Sequence, residues 1–324
     1  MHLLTFREIF KERIWGGRNL ERLYRKPLPP NTLIGESWEL ADLPEDQSVV
    51  ANGSLAGKTL TQLVAASRPE LLGDAQLDAG QFPLLIKFLD ARDHLSVQVH
   101  PDYQAAEKMG LPVRAKYECW YVVAAEEEAA TYAGFKPGTT MTDVRKALAD
   151  GSLADLLMKL PAKVGDFFYL PGGTVHALGA GIVVAEVQTL SDTTFRLFDW
   201  NRVDAKTGKP RELHVESGLA CAQLRQTVED FQPTFPAIDA HSVILACAPT
   251  FCVVKHSHSA GRSLTVEPGR AAAWIFIAGS GTIRDADAAI DLVPGKTIFL
   301  PAQRTTAIAE FSSHSTWLEV KLTR

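Results

Sequence analysis

The chain has 324 residues, close to half of them hydrophobic, and a net charge of −5. That length exceeds one ordinary domain, so two cores are expected. A mild charge with no basic stripe argues against nucleic acid as a partner. The opening MHLLTFREIFKERIWGG carries charges throughout its apolar residues and reads as neither a signal peptide nor a membrane span, so a cytoplasmic protein without a membrane partner is expected.

Short apolar runs with alternation dominate, which predicts a mainly β protein with few helices. Thr59-x-x-Gln62 is a capping box that opens a helix ahead of Leu60, Leu63 and Val64. Strands are expected over 83–90 and 94–100. Asp102 caps a short helix that Gly110 closes, and a strand over 118–124 leads to a solvated turn at Glu126–Glu128. Thr140 or Thr142 opens a third helix that ends near Gly151. Ser152-x-x-Asp155, with Leu153, Leu156, Leu157 and Leu160, opens a fourth. Strands follow over 166–170, 182–188 and 195–200, and the helices between strands read as insertions that wall a cleft. Two prolines and no periodicity mark 230–240 as a linker, which divides the chain into 1–232 and 233–324. Two further strands, 273–278 and 297–300, lie in the second part. Cys119, Cys221, Cys247 and Cys252 have no CxxC spacing and no zinc-finger partners, so buried reduced thiols are expected.

One segment occurs twice. Residues 165–176 read GDFFYLPGGTVH and residues 295–306 read GKTIFLPAQRTT. The glycine, the proline and the apolar pairs Phe168/Ile298 and Leu170/Leu300 stay in step, but Gly173 and His176 of the first copy become Gln303 and Thr306. Setting Trp120 on Trp274 puts Ala272 opposite Glu118. Two related β-units are expected, the first carrying a metal and the second without it.

The metal reading comes from residue type and strand parity. In LSVQVHP, Ser96, Gln98 and His100 share one face, and Leu95, Val97 and Val99 take the other. Glu118 sits among apolar neighbours, where an unpaired charge is costly. Two imidazoles and a carboxylate, His100, His176 and Glu118, suit a catalytic zinc with an open position. Iron in a two-His, one-carboxylate triad is the competing choice. Val184, Glu186 and Gln188 share a face. Glu186 and Arg196 form either a structural ion pair or part of a working site. Lys87, at the parity of Leu85 and Leu89, either snorkels or anchors an anion. His256 and His258 lack partners at the repeat positions and read as solvated strand residues. His94 shapes the rim, Lys136 sits on a surface loop or reaches the pocket, and Trp15 and Trp38 cover the cleft or pack beneath it.

Gly165-x5-Pro171-x-Gly173-x2-His176 resembles the second motif of the cupin barrels, with Gln98-x-His100 in place of the usual HxH and Ala180 where Asn is common. WGGRNL, GESWELAD, SVQVHPD, KYECWY, LPGGTVHALGAG, EVQTLSDTTFRLFDWNR and RELHVE together resemble type I mannose-6-phosphate isomerases of the shorter bacterial form. The resemblance implies two cupin-type jelly-roll barrels, with helical insertions around the catalytic barrel (1–232) and a degenerate, metal-free barrel (233–324). It implies one Zn2+ per chain on Gln98, His100, Glu118 and His176, and a sugar phosphate as the small-molecule partner. Arg196 falls on the family's active-site arginine and Glu186 on an acid–base candidate. Lys87 matches a lysine that lines the substrate pocket, and Lys116, also expected at the substrate, matches the lysine of the longer members' NHKPE motif, which reads AKYE here. Arg202 stands where longer members have lysine, and the two cations bind phosphate with different geometry. The implied reaction interconverts mannose 6-phosphate and fructose 6-phosphate by proton transfer through a cis-enediol. A cupin dioxygenase and a non-catalytic sugar-phosphate-binding cupin are the alternatives, and oligomeric state is left open.

Overall fold

The computed structural model describes residues 1–203 and 208–323. It is mainly β, as expected. Four sheets carry the fold, arranged as two facing pairs. The first pair joins a six-stranded sheet, in the order Ile9–Gly17, Ile34–Leu40, Leu84–Ala91, Ile182–Thr189, Glu118–Ala125 and Phe167–Leu170, to a five-stranded sheet. The latter runs Phe195–Phe198, Val97–Val99, His176–Ala177, Ala130–Phe135 and Leu157–Pro161. Leu89, Trp120, Val122, Phe168 and Val184 of one sheet meet Leu95, Ala133, Leu160 and Leu178, from in and around the other, in a shared core. The second pair sets a six-stranded sheet against a four-stranded one, around Trp274, Phe276, Trp317, Ile283, Leu292 and Phe311.

The repeat survives as strand register. Phe168 lies opposite Trp120 and Leu170 opposite Glu118. In the second unit Ile298 lies opposite Trp274 and Leu300 opposite Ala272. Gly165 and Gly295 hold equivalent turns at φ +94 and +82, a region where a side chain would be strained. The period-two pattern that puts Trp120 and Val122 inside the first unit turns Cys119, Tyr121, Ile86, Phe88, Val183, Ala185 and Val187 outward. These pack on Phe251, Val253, Ala273, Ile275, Leu318 and Val320, so the two large sheets share one core across their outer faces. Leu3 packs inside the second unit and Leu4 bridges to Phe299, so the chain's first residues contribute to the core of the later unit.

Several expectations need correction. The capping box at Thr59 and the cap at Asp102 form as read, and of the two threonines Thr140 opens the third helix, through a capping box with Asp143. The fourth helix does not: Leu153–Leu156 is a single 3-10 turn, after which Leu157–Pro161 pairs with Ala130–Phe135 as a strand. Leu157 and Leu160 are buried from that strand, so edge pairing overrides the helical spacing. The helices Met141–Asp150 and Val215–Cys221 do not wall a cleft. Val144, Ala147 and Leu219 cover the outer face of the five-stranded sheet, against Val97, Val99 and Phe135. Part of the expected linker, Ala237–Asp239, is a strand. Cys247 and Cys252 lie directly opposite each other in a hairpin and are disulfide-bonded, whereas Cys119 and Cys221 are free and buried. His256 and His258 are not solvated. His256 stacks on Trp317, and His258 stacks on Phe311 and Trp317 inside the second unit. Among the described residues no helix is long and apolar enough to cross a membrane.

Candidate active site

Strand pairing brings the dispersed ligands together. His176 lies opposite Gln98 across the five-stranded sheet, and Arg196 lies opposite Gln98 on its other side. His176 is set by the turn before it. The Gly173 amide, at φ +91, donates to the His100 carbonyl at 2.7 Å, and a Cβ at Gly173 would strike Gln223. Glu118 enters from the facing sheet. His100, Glu118 and His176 are all buried, and their ligand atoms lie within 4.8 Å of one another.

The hydrogen bonds fix which ring atoms are available. His100 Nδ1 donates to the Thr193 carbonyl at 2.8 Å, and His176 Nδ1 donates to the Thr174 carbonyl at 2.9 Å. In both rings Nε2 is the atom turned toward the cluster. His176 Nε2 stands 2.9 Å from Glu118 Oε1. Both Glu118 oxygens are buried without an aligned hydrogen bond, although Lys116 Nζ lies 2.7 Å from Oε2. Burial alone would raise the Glu118 pKa, but Lys116, His100 and His176 hold it well below the ordinary value. Burial and the Lys116 ammonium push His100 down to about 3, so its imidazole is neutral. A neutral His100, an ionised Glu118 and a second imidazole converge on one buried point, a donor set that suits a divalent cation, with Lys116 Nζ alongside at 2.7 Å from Glu118 Oε2 and 3.2 Å from His100 Nε2. Gln98 Nε2 lies 3.3 Å from His176 Nε2, and the amide's N and O ends are interchangeable by a flip.

Beside this cluster lies a cavity of about 330 Å3, lined in part by Gln98, Lys116, Lys87, Glu186, Arg196 and Arg211. Glu186 is buried. Its Oε2 accepts from Trp120 Nε1 at 2.8 Å, and its Oε1 lies 3.1 Å from Lys87 Nζ. Trp120 also packs its edge on His176, with ring centroids 5.5 Å apart. Burial would lower the Lys87 pKa, but Glu186, Glu36 and Glu118 raise it overall, so the ammonium stays charged. Glu36 ties this pair to the mouth: its Oε1 accepts from Arg13 Nε at 2.5 Å and its Oε2 from Trp38 Nε1 at 2.6 Å. Burial opposes the Glu36 charge, yet Lys87 and Arg13 bring its pKa down to about 2. Arg196 Nε is buried without a partner, while one Nη donates to the Glu212 carbonyl.

Residues 3–136 match the family model described as phosphomannose isomerase type I, catalytic domain. The mannose-6-phosphate isomerase of Streptococcus mutans is 39% identical over 245 residues, 75% of either chain. The chain belongs to the type I mannose-6-phosphate isomerases. Mannose-6-phosphate isomerase ManA of Bacillus subtilis is 43% identical over 67% of this chain and 66% of its own length. A crystal structure of the mannose 6-phosphate isomerase from Bacillus subtilis superimposes with a TM-score of 0.86 at 29% identity, over 99% of both chains. The family consists of aldose–ketose isomerases and its fold is cupin-type, so the enzyme class and the double cupin architecture follow.

Within that isomerase frame, the residues singled out from the sequence separate by position. Gln98, His100, Glu118, His176, Lys87, Lys116, Glu186 and Arg196 gather in and around one cavity. Glu186 takes Lys87 as its ion-pair partner instead of Arg196. Arg202 lies outside the lining, its guanidinium held by Asp199, Asp93 and the His94 carbonyl. Lys136 is on the surface, bonded to the Asp155 carbonyl, and His94 stacks on Trp200. Trp15 lines the cavity, and Trp38 lies 5.3 Å from Lys87 Nζ. Sequence reasoning passed over Arg13, Glu36, Thr194 and Arg211, which also line it. Glu36 was findable: it shares a strand face with Trp38 in IGESWEL and has the same isolated-charge character as Glu118.

Proposed function

We propose that this chain interconverts mannose 6-phosphate and fructose 6-phosphate as a zinc-dependent isomerase, by proton transfer through a cis-enediol. One observation carries the reading. The ligand atoms of the buried His100, Glu118 and His176 converge within 4.8 Å of one another, beside a cavity that holds a carboxylate and several cations. Gln98, His100, Glu118 and His176 would hold the ion. Zinc, when bound there, supplies a Lewis acid for substrate oxygens. The oxygen ligand from Gln98 distinguishes this set from a three-ligand site.

The remaining roles belong to the protein's own side chains. Glu186 moves the proton between C1 and C2 of the open-chain sugar. Lys87 and Trp120 fix its two oxygens and so aim it. Arg196 places its open Nε–H on an anionic oxygen of the substrate, where a preset donor in a dry site is worth most. Arg211 stands at the same lining and takes the phosphate role that the sequence assigned to Arg202. Lys116, touching both His100 and Glu118, holds the ligand carboxylate in place. Residues 1–232 form the catalytic unit and 233–324 the metal-free unit in this reading. The deciding experiment is a coupled assay with mannose 6-phosphate before and after chelation and zinc return. Activity that disappears with the metal and returns with it supports the reading. Undiminished activity of metal-free protein refutes it.

A further inference from the structure

The second unit also contains a cavity, of about 400 Å3, and its chemistry differs from the first in one decisive way. Register places Glu319 opposite Trp274, as Glu186 lies opposite Trp120. It also places Lys321 opposite Ala272, as Gln188 lies opposite Glu118. The corner that holds a metal-binding carboxylate in the first unit therefore holds a methyl group beside an ammonium in the second. Repeat position 174, a threonine in the first copy, becomes Arg304 in the second.

Arg304 is only 7% exposed. Its Nη atoms donate to the carbonyls of Pro301, Arg270 and Glu267, so no carboxylate contacts it among the described residues. Its Nε is buried without a partner, and so is Nε1 of the fully buried Trp317. Glu319 is already engaged, by His256 Nε2 at 3.0 Å and by Lys321 Nζ at 3.1 Å. Arg270, Arg304 and Lys321 face Glu267 and Glu319 around the cavity, which leaves one positive charge in excess, while Trp274, Val266 and Ala272 form apolar wall. Unpartnered buried donors and unbalanced positive charge are costly unless something satisfies them.

We propose that this cavity is a second ligand site, separate from the isomerase site, for a small organic anion with one phosphate or carboxylate head and a compact apolar or ring-shaped body. The head lies toward Arg304 and Lys321 and the body against Trp274.

The test uses metal-replete, full-length protein with 15N-labelled indoles, the Trp274 and Trp317 N–H signals being assigned by Trp→Phe substitution. Inorganic phosphate, fructose 6-phosphate and benzoate are titrated separately. The expected result is a saturable shift of both signals with at least one probe, the effective probe distinguishing a phosphate head from a carboxylate head. Lys321→Met, at the partly exposed edge of the cavity, should weaken that binding about tenfold or more. Ala272→Leu should abolish it by filling the floor. If Ala272→Leu fails to fold, Lys321→Met decides alone. Signals that stay put with all three probes, or shifts with unchanged affinity in Lys321→Met, overturn the proposal. A shift of the Trp120 signal alone, with fructose 6-phosphate, overturns it as well, because it reports the first unit only.

Discussion

The two units share a frame and differ at its centre. In both, a tryptophan indole donates to a carboxylate on the neighbouring strand: Trp120 to Glu186 at 2.8 Å and Trp274 to Glu319 at 3.4 Å. In both, a glycine turn leads into a strand that pairs in the same register. The first unit then puts Glu118 and His176 where the second has Ala272 and Thr306. The consequence is electrostatic. The first unit gathers two imidazoles and a carboxylate at one point, whereas the second has no such cluster among the described residues and closes its carboxylate with His256 and Lys321. A fold of this kind tolerates either arrangement, so chemistry resides in a few substituents and not in the sheets.

The largest effect is expected at the ligand that only one unit has. His176→Ala should release the metal and bring isomerase activity to background, while Thr306→Ala, at the counterpart position, keeps both. Metal content and turnover of the two purified variants check this, and retained stoichiometric metal in His176→Ala would remove His176 from the ligand set. Next comes the shared carboxylate. Glu186→Gln should lower kcat about a hundredfold or more with metal retained, read from solvent-hydrogen exchange into the product. Near-normal turnover would exclude Glu186 as the base.

A third contrast concerns pH. Glu36 and Glu319 both have pKa values lowered to about 2, in spite of burial, by Lys87 and Arg13 in the first case and by His256 and Lys321 in the second. A folded-state value below the unfolded one adds stability above the ordinary carboxylate range, and that stability disappears as pH falls from about 4.5 through about 2. Each is worth on the order of 3 kcal/mol. Urea unfolding of Glu319→Gln should show a flatter loss of stability over that window than the parent protein. Parallel curves would show that Glu319 is not responsible. The smallest effect is expected at the cavity mouth. Arg211→Met should raise KM for mannose 6-phosphate about tenfold, with Arg202→Met changing it less, because both arginines pair with Asp199 but only Arg211 lines the cavity. The reverse order, from initial rates, would return the phosphate contact to Arg202.

Much of the site was legible because strand parity is a rigid rule. Gln98 and His100 had to share a face, and a buried Glu118 had to find partners. The repeat was legible because turn glycines and inward apolar residues keep register. What the sequence hid was which charges would pair. Lys87, Glu186 and Glu36 come from three strands, and their order in the sheet, Ile34–Leu40 beside Leu84–Ala91 beside Ile182–Thr189, decides that Lys87 lies between the two acids. Arg202 and Arg211 compete for one Asp199, a choice that no local pattern encodes. His256 and His258 lack ligand partners at the repeat positions, and the rings that bury them, Phe311 and Trp317, come from strands far along the chain that no local pattern links to them. Leu157 and Leu160 had helical spacing, but a free edge of the five-stranded sheet took them as a strand.

Crystals of the zinc-loaded protein, measured above and below the zinc absorption edge, would locate the ion directly. One anomalous peak per chain is expected, enclosed by His100, Glu118 and His176 with Gln98 alongside. A peak among the histidines of the second unit, or no peak in fully active protein, would contradict it.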